Sequence, residues 1–255
     1  MSFAIKSGAI FTGAQAMAQP SRSTAEMAIL DMPELLFWLR ADTRDPTQSR
    51  LAFRDLAGGL LCQGYGTTAL GTGINSATTM VFDGTINSKL GVGLTLPATY
   101  SAIMMYTMGA LPAAASPMLS DPNYSISANP EIFIGITSAG HWVLKHSTVA
   151  GSSVQDNATL AINTNYISWA SFDGNALQGT VAAANERLAR GTATFTQGVS
   201  GASTMYVGGG TVQAFQGQMT DLVVLSVPIG NTAYATQRDN VLNYLASKGG
   251  ITLSN

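Results

Sequence analysis

The most constraining feature of the sequence is a pair of strand-length runs that meet at Asp173-Gly174. Residues 165–172 and 175–182 are rich in apolar and β-favouring residues. An Asp-Gly pair between two such runs predicts a β-hairpin, because a tight type I′ turn needs residues that accept positive φ angles. At least this part of the chain is therefore expected to form an antiparallel sheet.

Further strand-length runs recur along the chain, each closed by turn residues. They are residues 35–40, 78–82, 100–108, 131–137, 142–147, 205–207 and 221–227. Residues 100–108 are apolar almost throughout, which predicts a central strand covered on both faces. A loop containing Gly140 separates two of the runs and predicts a second hairpin. The order indicates an all-β meander with long irregular connections at residues 60–76 and 109–130.

The N-terminal residues differ from this pattern. Residues 1–22 show no strand or helix periodicity and are interpreted as an arm. Ser23 to Glu26 matches a capping box, which predicts a short helix that ends near Leu30, before Pro33. We therefore divide the chain into residues 1–34, an N-terminal arm with a short helix, and residues 35–255, the β-sandwich.

A helix is also predicted at the other end of the chain. Asn231 or Thr232 can cap its start, and Gly249-Gly250 supplies the stop signal. We expect this helix to pack on one edge of the sandwich and to cover unpaired strand groups.

Charged residues are scarce. They make up 10% of the chain, against about 25% in ordinary soluble domains. The net charge is −2 and the 12 basic residues are scattered, so the sequence predicts neither nucleic acid nor a membrane surface as a partner. A surface of small neutral residues is easily buried, which favours a homo-oligomer.

The cysteine content and the N-terminal residues indicate the cellular compartment in which the protein folds. The single Cys62 cannot form an internal disulfide, which is compatible with folding in a reducing cytoplasm. The first residues lack the compact apolar run of a signal peptide.

Catalytic arrangements are missing from the sequence pattern. Glycoside hydrolysis needs two carboxylates across one cleft, whereas the glutamates are isolated at Glu26, Glu34, Glu131 and Glu186. The only histidines, His141 and His146, have no closely spaced Cys or carboxylate partners for zinc. We therefore predict a non-enzymatic protein without a metal or cofactor.

Four aspartates could supply oxygen ligands to Ca²⁺, but they lack the regular alternation of a loop chelate. They are Asp42, Asp45, Asp55 and Asp83. Capping of their own turns is the favoured interpretation, because Asp at a turn commonly accepts a bond from the backbone two residues on.

Two groups of motifs occur in an order typical of a known family. The opening group is residues 36–42, 54–58 and 81–84, and the closing group is residues 205–210, 215–221 and 244–251. Together they resemble concanavalin A-like, laminin G-like modules over about residues 35–252. The resemblance implies a jelly-roll sandwich of two antiparallel sheets. Members of the family serve as lectins, glycan hydrolases, adhesion modules and virion components, so the fold leaves the function open.

Aromatic residues in the middle hairpins are candidates for sugar stacking, since aromatic side chains are enriched at recognition surfaces. We select Trp142 at a hairpin tip, its neighbour His141, and Tyr166 in the next hairpin as carbohydrate-binding residues. Trp169 is expected to pack in the core instead.

The sequence leaves two functions open. The first is a structural or surface protein of a bacteriophage virion, such as a head decoration, fibre or tail adhesin component, assembled in the host cytoplasm. Residues 1–34 would join it to itself or to other virion proteins, and the lectin-like sandwich would face a host-surface glycan. The alternative is a stand-alone carbohydrate-binding module of a bacterial surface or secreted system. A glycan hydrolase ranks last.

Overall fold

The protein is a sandwich of two antiparallel β-sheets that are not closed into a barrel, as predicted. A computed structural model describes residues 22–121, 132–146, 151–198, 204–210 and 214–255. The strands are β1 Leu35–Arg40, β2 Ala52–Arg54, β3 Leu61–Tyr65, β4 Ala69–Thr72, β5 Thr78–Asp83, β6 Lys89–Val92, β7 Tyr100–Met108, β8 Ser116–Ser120, β9 Phe133–Ile136, β10 Trp142–Lys145, β11 Ser153–Gln155, β12 Asn165–Asp173, β13 Gln178–Ala182, β14 Gly191–Thr194, β15 Met205–Val207 and β16 Gln216–Leu225. The helices are α1 Thr24–Leu30 and α2 Ala235–Gly249, with 3₁₀ turns at Ile74–Ser76 and Thr232–Tyr234.

The two sheets have eight strands each. Sheet A has the order β14-β13-β12-β7-β16-β5-β4, and β1 pairs with the second half of β16, beyond the part that pairs with β5. Sheet B has the order β11-β10-β9-β8-β15-β6-β3-β2. Long strands β7, β12 and β16 form the centre of sheet A, and the short strands of sheet B cover its inner face.

Strand β7 is the central strand that its composition predicts. Ala102, Met104 and Tyr106 point into the core between the sheets. Ile103 and Met105 point to the opposite face, into a second apolar cluster under α2. Because both faces are covered, β7 needs apolar residues at almost every position.

Helix α2 covers this outer face of sheet A instead of an edge, contrary to the prediction. Its buried residues Val241, Leu242 and Leu245 pack with residues of β7, β12 and β16. The physical reason is that the outward residues of these strands are apolar. The outer face of sheet A, and not one of its edges, therefore had to be buried. No helix among the described residues is long and apolar enough to cross a membrane.

Helix α1 begins with the predicted capping box. The Ser23 hydroxyl accepts from the Glu26 N–H, and the Glu26 carboxylate accepts from the Ser23 N–H. Ile29 is fully buried in the cluster under α2, and Glu26 forms an ion pair with Arg40 of β1. The part of the predicted arm from residue 22 onward is therefore packed on the sandwich. Residues 1–21 lie outside the described residues.

Two segments predicted as irregular loops contain strands. Residues 60–76 hold β3 and β4, and residues 109–130 hold β8. Strand β8 tolerates Pro117 because the pairing with β9 shifts register between Pro117 and Leu119, and a bulge removes the need for a ladder N–H.

The hairpin at Asp173-Gly174 exists, but its turn is longer than predicted. Strands β12 and β13 pair as expected, and residues 174–177 form the turn, with positive φ at Leu177. A Cβ on Gly174 would lie 2.4 Å from the Ala98 carbonyl oxygen. Gly174 is thus required for close backbone approach and not for a two-residue type I′ turn.

Candidate functional site

The outer face of sheet B carries two tyrosines on strands that are distant in sequence. Strands β3, β6 and β15 are neighbours, with Gln63 paired to Gly91 and Gly91 paired to Tyr206. Alternation along the strands turns Cys62, Leu90 and Val207 into the core. Tyr65, Lys89 and Tyr206 therefore point outward, because successive strand side chains face opposite sides.

Gly91 makes room for the Tyr65 ring. A Cβ at Gly91 would lie 2.8 Å from Tyr65 Cε2, so the ring rests across the glycine. The Tyr65 and Tyr206 rings meet edge to face, with centroids 6.4 Å apart and an interplanar angle of 74°. Tyr65 is 40% exposed and Tyr206 is half-buried. We call Tyr65, Tyr206, Lys89, Gly91 and Gln63 the tyrosine patch.

Lys89 supplies the positive charge of the tyrosine patch. Its Nζ lies 4.4 Å from the Tyr206 ring centroid and donates to the Gly210 carbonyl oxygen at 3.0 Å. Partial burial lowers the pKa of Lys89. The cation–π contact and the carbonyl hold the ammonium group beside the tyrosine rings, and the remaining N–H bonds can be donated to a ligand.

The tyrosine patch suits a ligand with one apolar face and several hydroxyl groups. Tyrosine offers an apolar ring and a polar tip with little loss of side-chain entropy on binding. Lys89 and Gln63 add hydrogen-bonding groups next to the rings. A sugar ring has this combination of an apolar C–H face and hydroxyl edges.

Trp142, selected from the sequence as a sugar-stacking residue, is fully buried. Its ring stacks on Tyr106 with centroids 5.6 Å apart, and its Nε1 donates to the Trp169 carbonyl oxygen at 3.0 Å. The expectation of an exposed ring is wrong, because Trp142 occupies an inward position of β10. Trp169 is buried in the cluster under α2, as predicted.

The other two selected residues lie near Trp142 and outside the tyrosine patch. Tyr166 is almost buried, and its hydroxyl accepts from the Ala161 N–H at 2.8 Å. His141 is half-buried and its Nδ1 lies 3.2 Å from the Ala158 carbonyl oxygen. The hydrogen bonds of both residues hold the connection between β11 and β12.

The aspartates considered as calcium ligands stabilise turns. Asp45, Asp55 and Asp83 each accept a bond from the backbone N–H two residues on, and Asp42 pairs with Arg40. Turn capping is thus confirmed for the first three. Among the described residues, no group of three or more His, Cys, Asp or Glu side chains could hold a metal ion.

His146 and Cys62 are buried groups of the core. The His146 Nε2 and the Tyr100 hydroxyl are 2.8 Å apart, and the imidazole ring packs edge-on against Phe172 with centroids 4.0 Å apart. Burial lowers the pKa of His146 to about 4. Burial also raises the pKa of the Cys62 thiol to about 12, so this cysteine is a poor nucleophile at neutral pH.

Known structures share the fold. No family model matches the chain, and no curated protein matches it in sequence. Trypanosoma rangeli sialidase in complex with sialic acid is similar with a TM-score of 0.60 and 12% identity, over 88% of this chain and 34% of the sialidase. The chain therefore spans about a third of the sialidase's length.

Two further structures are similar over more of their own length. Domain 4 of AbnA, a GH43 extracellular arabinanase from Geobacillus stearothermophilus, in complex with arabinotriose, has a TM-score of 0.57 and 14% identity, over 80% of this chain and 98% of that domain. The receptor binding domain of botulinum neurotoxin type G has a TM-score of 0.57 and 11% identity, over 83% of this chain and 51% of that chain. At these identities the similarity shows the fold, which agrees with a concanavalin A-like sandwich.

Proposed function

We propose that the chain is a non-enzymatic, lectin-like virion protein of a bacteriophage that binds a host-surface glycan on the tyrosine patch. One observation carries the binding part of the proposal. Tyr65 and Tyr206 keep exposed ring surface in an edge-to-face pair, with the Lys89 ammonium group beside them. This arrangement offers a ring for stacking and donors for hydroxyl groups on one open sheet face.

The structural similarities support ligand recognition as the function of the chain. A domain in complex with arabinotriose and a receptor binding domain share this sandwich. The low charge of the chain and the 23 residues before α1 support mounting on a particle, because a neutral surface is easily buried between subunits and a segment of that length is long enough to contact a neighbour.

The engagement of the carboxylates supports a non-catalytic role. Asp55 accepts bonds from Trp38, Ala57 and Gly58. Glu26 pairs with Arg40. A catalytic acid or base would instead have to face a ligand surface with a free oxygen.

Binding is tested on a glycan array that includes arabinotriose and sialylated glycans, followed by titration calorimetry with the best ligand. We expect Tyr65→Ala and Tyr206→Ala each to weaken binding by about 30-fold, since removing an anchoring aromatic costs about 2 kcal/mol or more. Tyr65→Phe should retain most of the affinity because the ring remains. Tyr234→Ala, on the helix side of sheet A, is the matched control. Binding that tolerates both tyrosine substitutions would rule out the tyrosine patch.

The alternative is a stand-alone carbohydrate-binding module of a bacterial surface or secreted system. It is supported by the similarity to domain 4 of an extracellular arabinanase in complex with arabinotriose, which extends over 98% of that domain. It would use the same tyrosine patch. Co-sedimentation of the protein with purified phage particles separates the two contexts, since a stand-alone module should remain in the supernatant.

A further inference from the structure

A cleft of about 390 Å³ opens where several loops meet at one end of the sandwich. It is lined by Gly84, Met108, Ala110, Leu111, Pro112, Ala113, Ala114, Ser116, Ile136, Ala214, Phe215 and Gln216. The side chains of Met108, Ile136 and Phe215 are buried at its base, and the loop between β7 and β8 forms an alanine-rich wall. None of these lining residues is charged. We call this feature the loop-end cleft.

Exposed aliphatic side chains surround the loop-end cleft. Ile86, Leu111 and Ile162 are 46%, 52% and 47% exposed. Ile86 follows Gly84 in one turn, and Ile162 precedes Asn163, whose N–H donates to the Met108 carbonyl oxygen at 2.7 Å. Large aliphatic residues concentrated around an apolar cleft mark an interaction surface.

The start of helix α1 lies close to the strand whose first residue lines the cleft. Helix α1 begins beside Arg40, whose partner on β16 is Asp221. Gln216, at the start of the same strand, lines the cleft, so the two points are about 17 Å apart at about 3.3 Å per residue. Residues 1–21 span about 69 Å when extended, at about 3.3 Å per residue, so they are long enough to pass this end of their own sandwich and reach the cleft of a neighbouring copy.

Residues 1–21 also match the chemistry of the cleft. They contain the apolar residues Phe3, Ile5, Ile10 and Phe11, and Lys6 is their only charged residue. Residues 7–21, which include Ile10 and Phe11, carry no charged side chain, so this part can enter an uncharged cleft without burying an unpaired charge.

We infer that the loop-end cleft receives the apolar part of residues 1–21 from a second copy of this chain. This inference rests on the assembly part of the proposed function and names its acceptor. Two clefts facing each other would enclose a void, whereas a peptide segment fills a concave site.

The contact joins two different surfaces and is therefore heterologous. Repetition of such a contact closes into a ring or continues as a filament, depending on the rotation between copies. A ring or array of subunits would present many tyrosine patches at once, and multivalent display strengthens weak glycan binding through effective concentration.

Sedimentation velocity over a range of protein concentrations tests the inference. We expect the full chain to form a defined oligomer. Deletion of residues 1–21 and the substitution Ala114→Glu should each raise the dissociation constant at least tenfold, the second because it places a charge on the cleft wall. Ala233→Glu adds the same charge at an exposed alanine on the opposite side of sheet A and should leave the oligomer unchanged.

Mixing the two defective variants separates exchange between copies from folding back within one copy. The Ala114→Glu chain has an intact N-terminal segment, and the deleted chain has an intact cleft, so together they should form a one-to-one heterodimer that neither forms alone. A monomeric full chain, or no heterodimer in the mixture, would overturn the inference. Glycan binding by the tyrosine patch is measured separately on the Ala114→Glu monomer, so that loss of assembly and loss of glycan binding are distinguished.

Discussion

At the scale of single residues, Gly91 controls where the Tyr65 ring lies. A methyl group at position 91 would be 2.8 Å from Tyr65 Cε2, and it would displace the ring from the sheet surface. The cost in stability should be small, since the end of an exposed side chain can move. Gly91→Ala is therefore expected to weaken glycan binding about as much as Tyr65→Ala, while the unfolding midpoint changes little.

Gly93 provides the matched control for Gly91. It is the next outward position after Gly91, and no atom lies within 4 Å of a Cβ built there. Gly93→Ala should leave binding unchanged in the same titration. Equal affinities for Gly91→Ala and the unaltered protein would show that the observed position of the Tyr65 ring is not needed.

His146 predicts a specific acid sensitivity. The unfolded histidine takes up a proton near pH 6.5, whereas the folded one does so only near pH 4, so falling pH favours the unfolded state. The full shift corresponds to about 3 kcal/mol of stability, present above pH 6.5 and lost between pH 6.5 and 4. Urea unfolding at several pH values measures this loss.

The variant His146→Gln isolates the contribution of this histidine. It should lower stability at neutral pH and remove most of the pH dependence between pH 6.5 and 4. Carboxylates with lowered pKa, such as Glu26 and Asp42, lose their contribution mainly below that interval. An unchanged slope in His146→Gln would assign the acid sensitivity to another group.

At the scale of elements, Asp221 joins three parts of the molecule. It is fully buried on β16, accepts from Trp38 Nε1 of β1 at 3.1 Å, and pairs with Lys248 Nζ of α2 at 2.7 Å. Breaking a buried ion pair by removing one charge costs about 3–5 kcal/mol. We expect Asp221→Asn to cost about 3 kcal/mol, because Lys248 retains 17% exposure and can partly regain water.

A double variant provides the control for this ion pair. Lys248→Met alone should cost more than Asp221→Asn, since it leaves a fully buried carboxylate unpaired. Asp221→Asn combined with Lys248→Met should recover part of the loss, because no unpaired charge remains. Additive costs in denaturant unfolding would mean that the two residues do not stabilise the fold as a pair.

Strands with a continuous run of apolar residues closed by turn residues could be predicted from the sequence. Strands of mixed composition could not. Strand β7 and the hairpin of β12 and β13 follow from apolar runs and turn residues. Strands β3, β4 and β8 were missed because Gly, Thr and Pro disfavour strands locally, and pairing with neighbouring strands outweighs that preference.

The candidate site could not be predicted from the sequence, because it too depends on how the strands pair. Tyr65 and Tyr206 become neighbours only through the pairing of β3, β6 and β15. The available signal was an outward tyrosine on each of two short strands and a glycine, Gly91, on the strand between them, and it can be used only when the register is known. Trp142 was predicted at a hairpin tip, but it is the first residue of β10 and its side chain points inward, because successive residues of a strand face opposite sides.

At the scale of the whole molecule, the folded unit has three layers. Sheet B covers the inner face of sheet A, and α1 and α2 cover its outer face. The predicted boundary at residue 34 does not coincide with a break in this packing. Ile29 and Met32 are buried, and Glu26 contacts both Arg40 and Tyr244.

Two deletions distinguish the arm from the folded unit. Removing residues 1–21 should weaken the oligomer at least tenfold and give the same thermal unfolding midpoint as the Ala114→Glu monomer, because both variants lose only the stabilisation that comes from assembly. Removing residues 1–34 also removes Ile29 and Met32, whose burial stabilises by about 1.5–3 kcal/mol each, and it leaves Arg40 without Glu26. Since whole domains are stable by only about 5–15 kcal/mol, this second deletion should be severely destabilised or unfolded by circular dichroism. Equal midpoints for the two deletions would instead place α1 in the arm and make residue 35 the start of the sandwich.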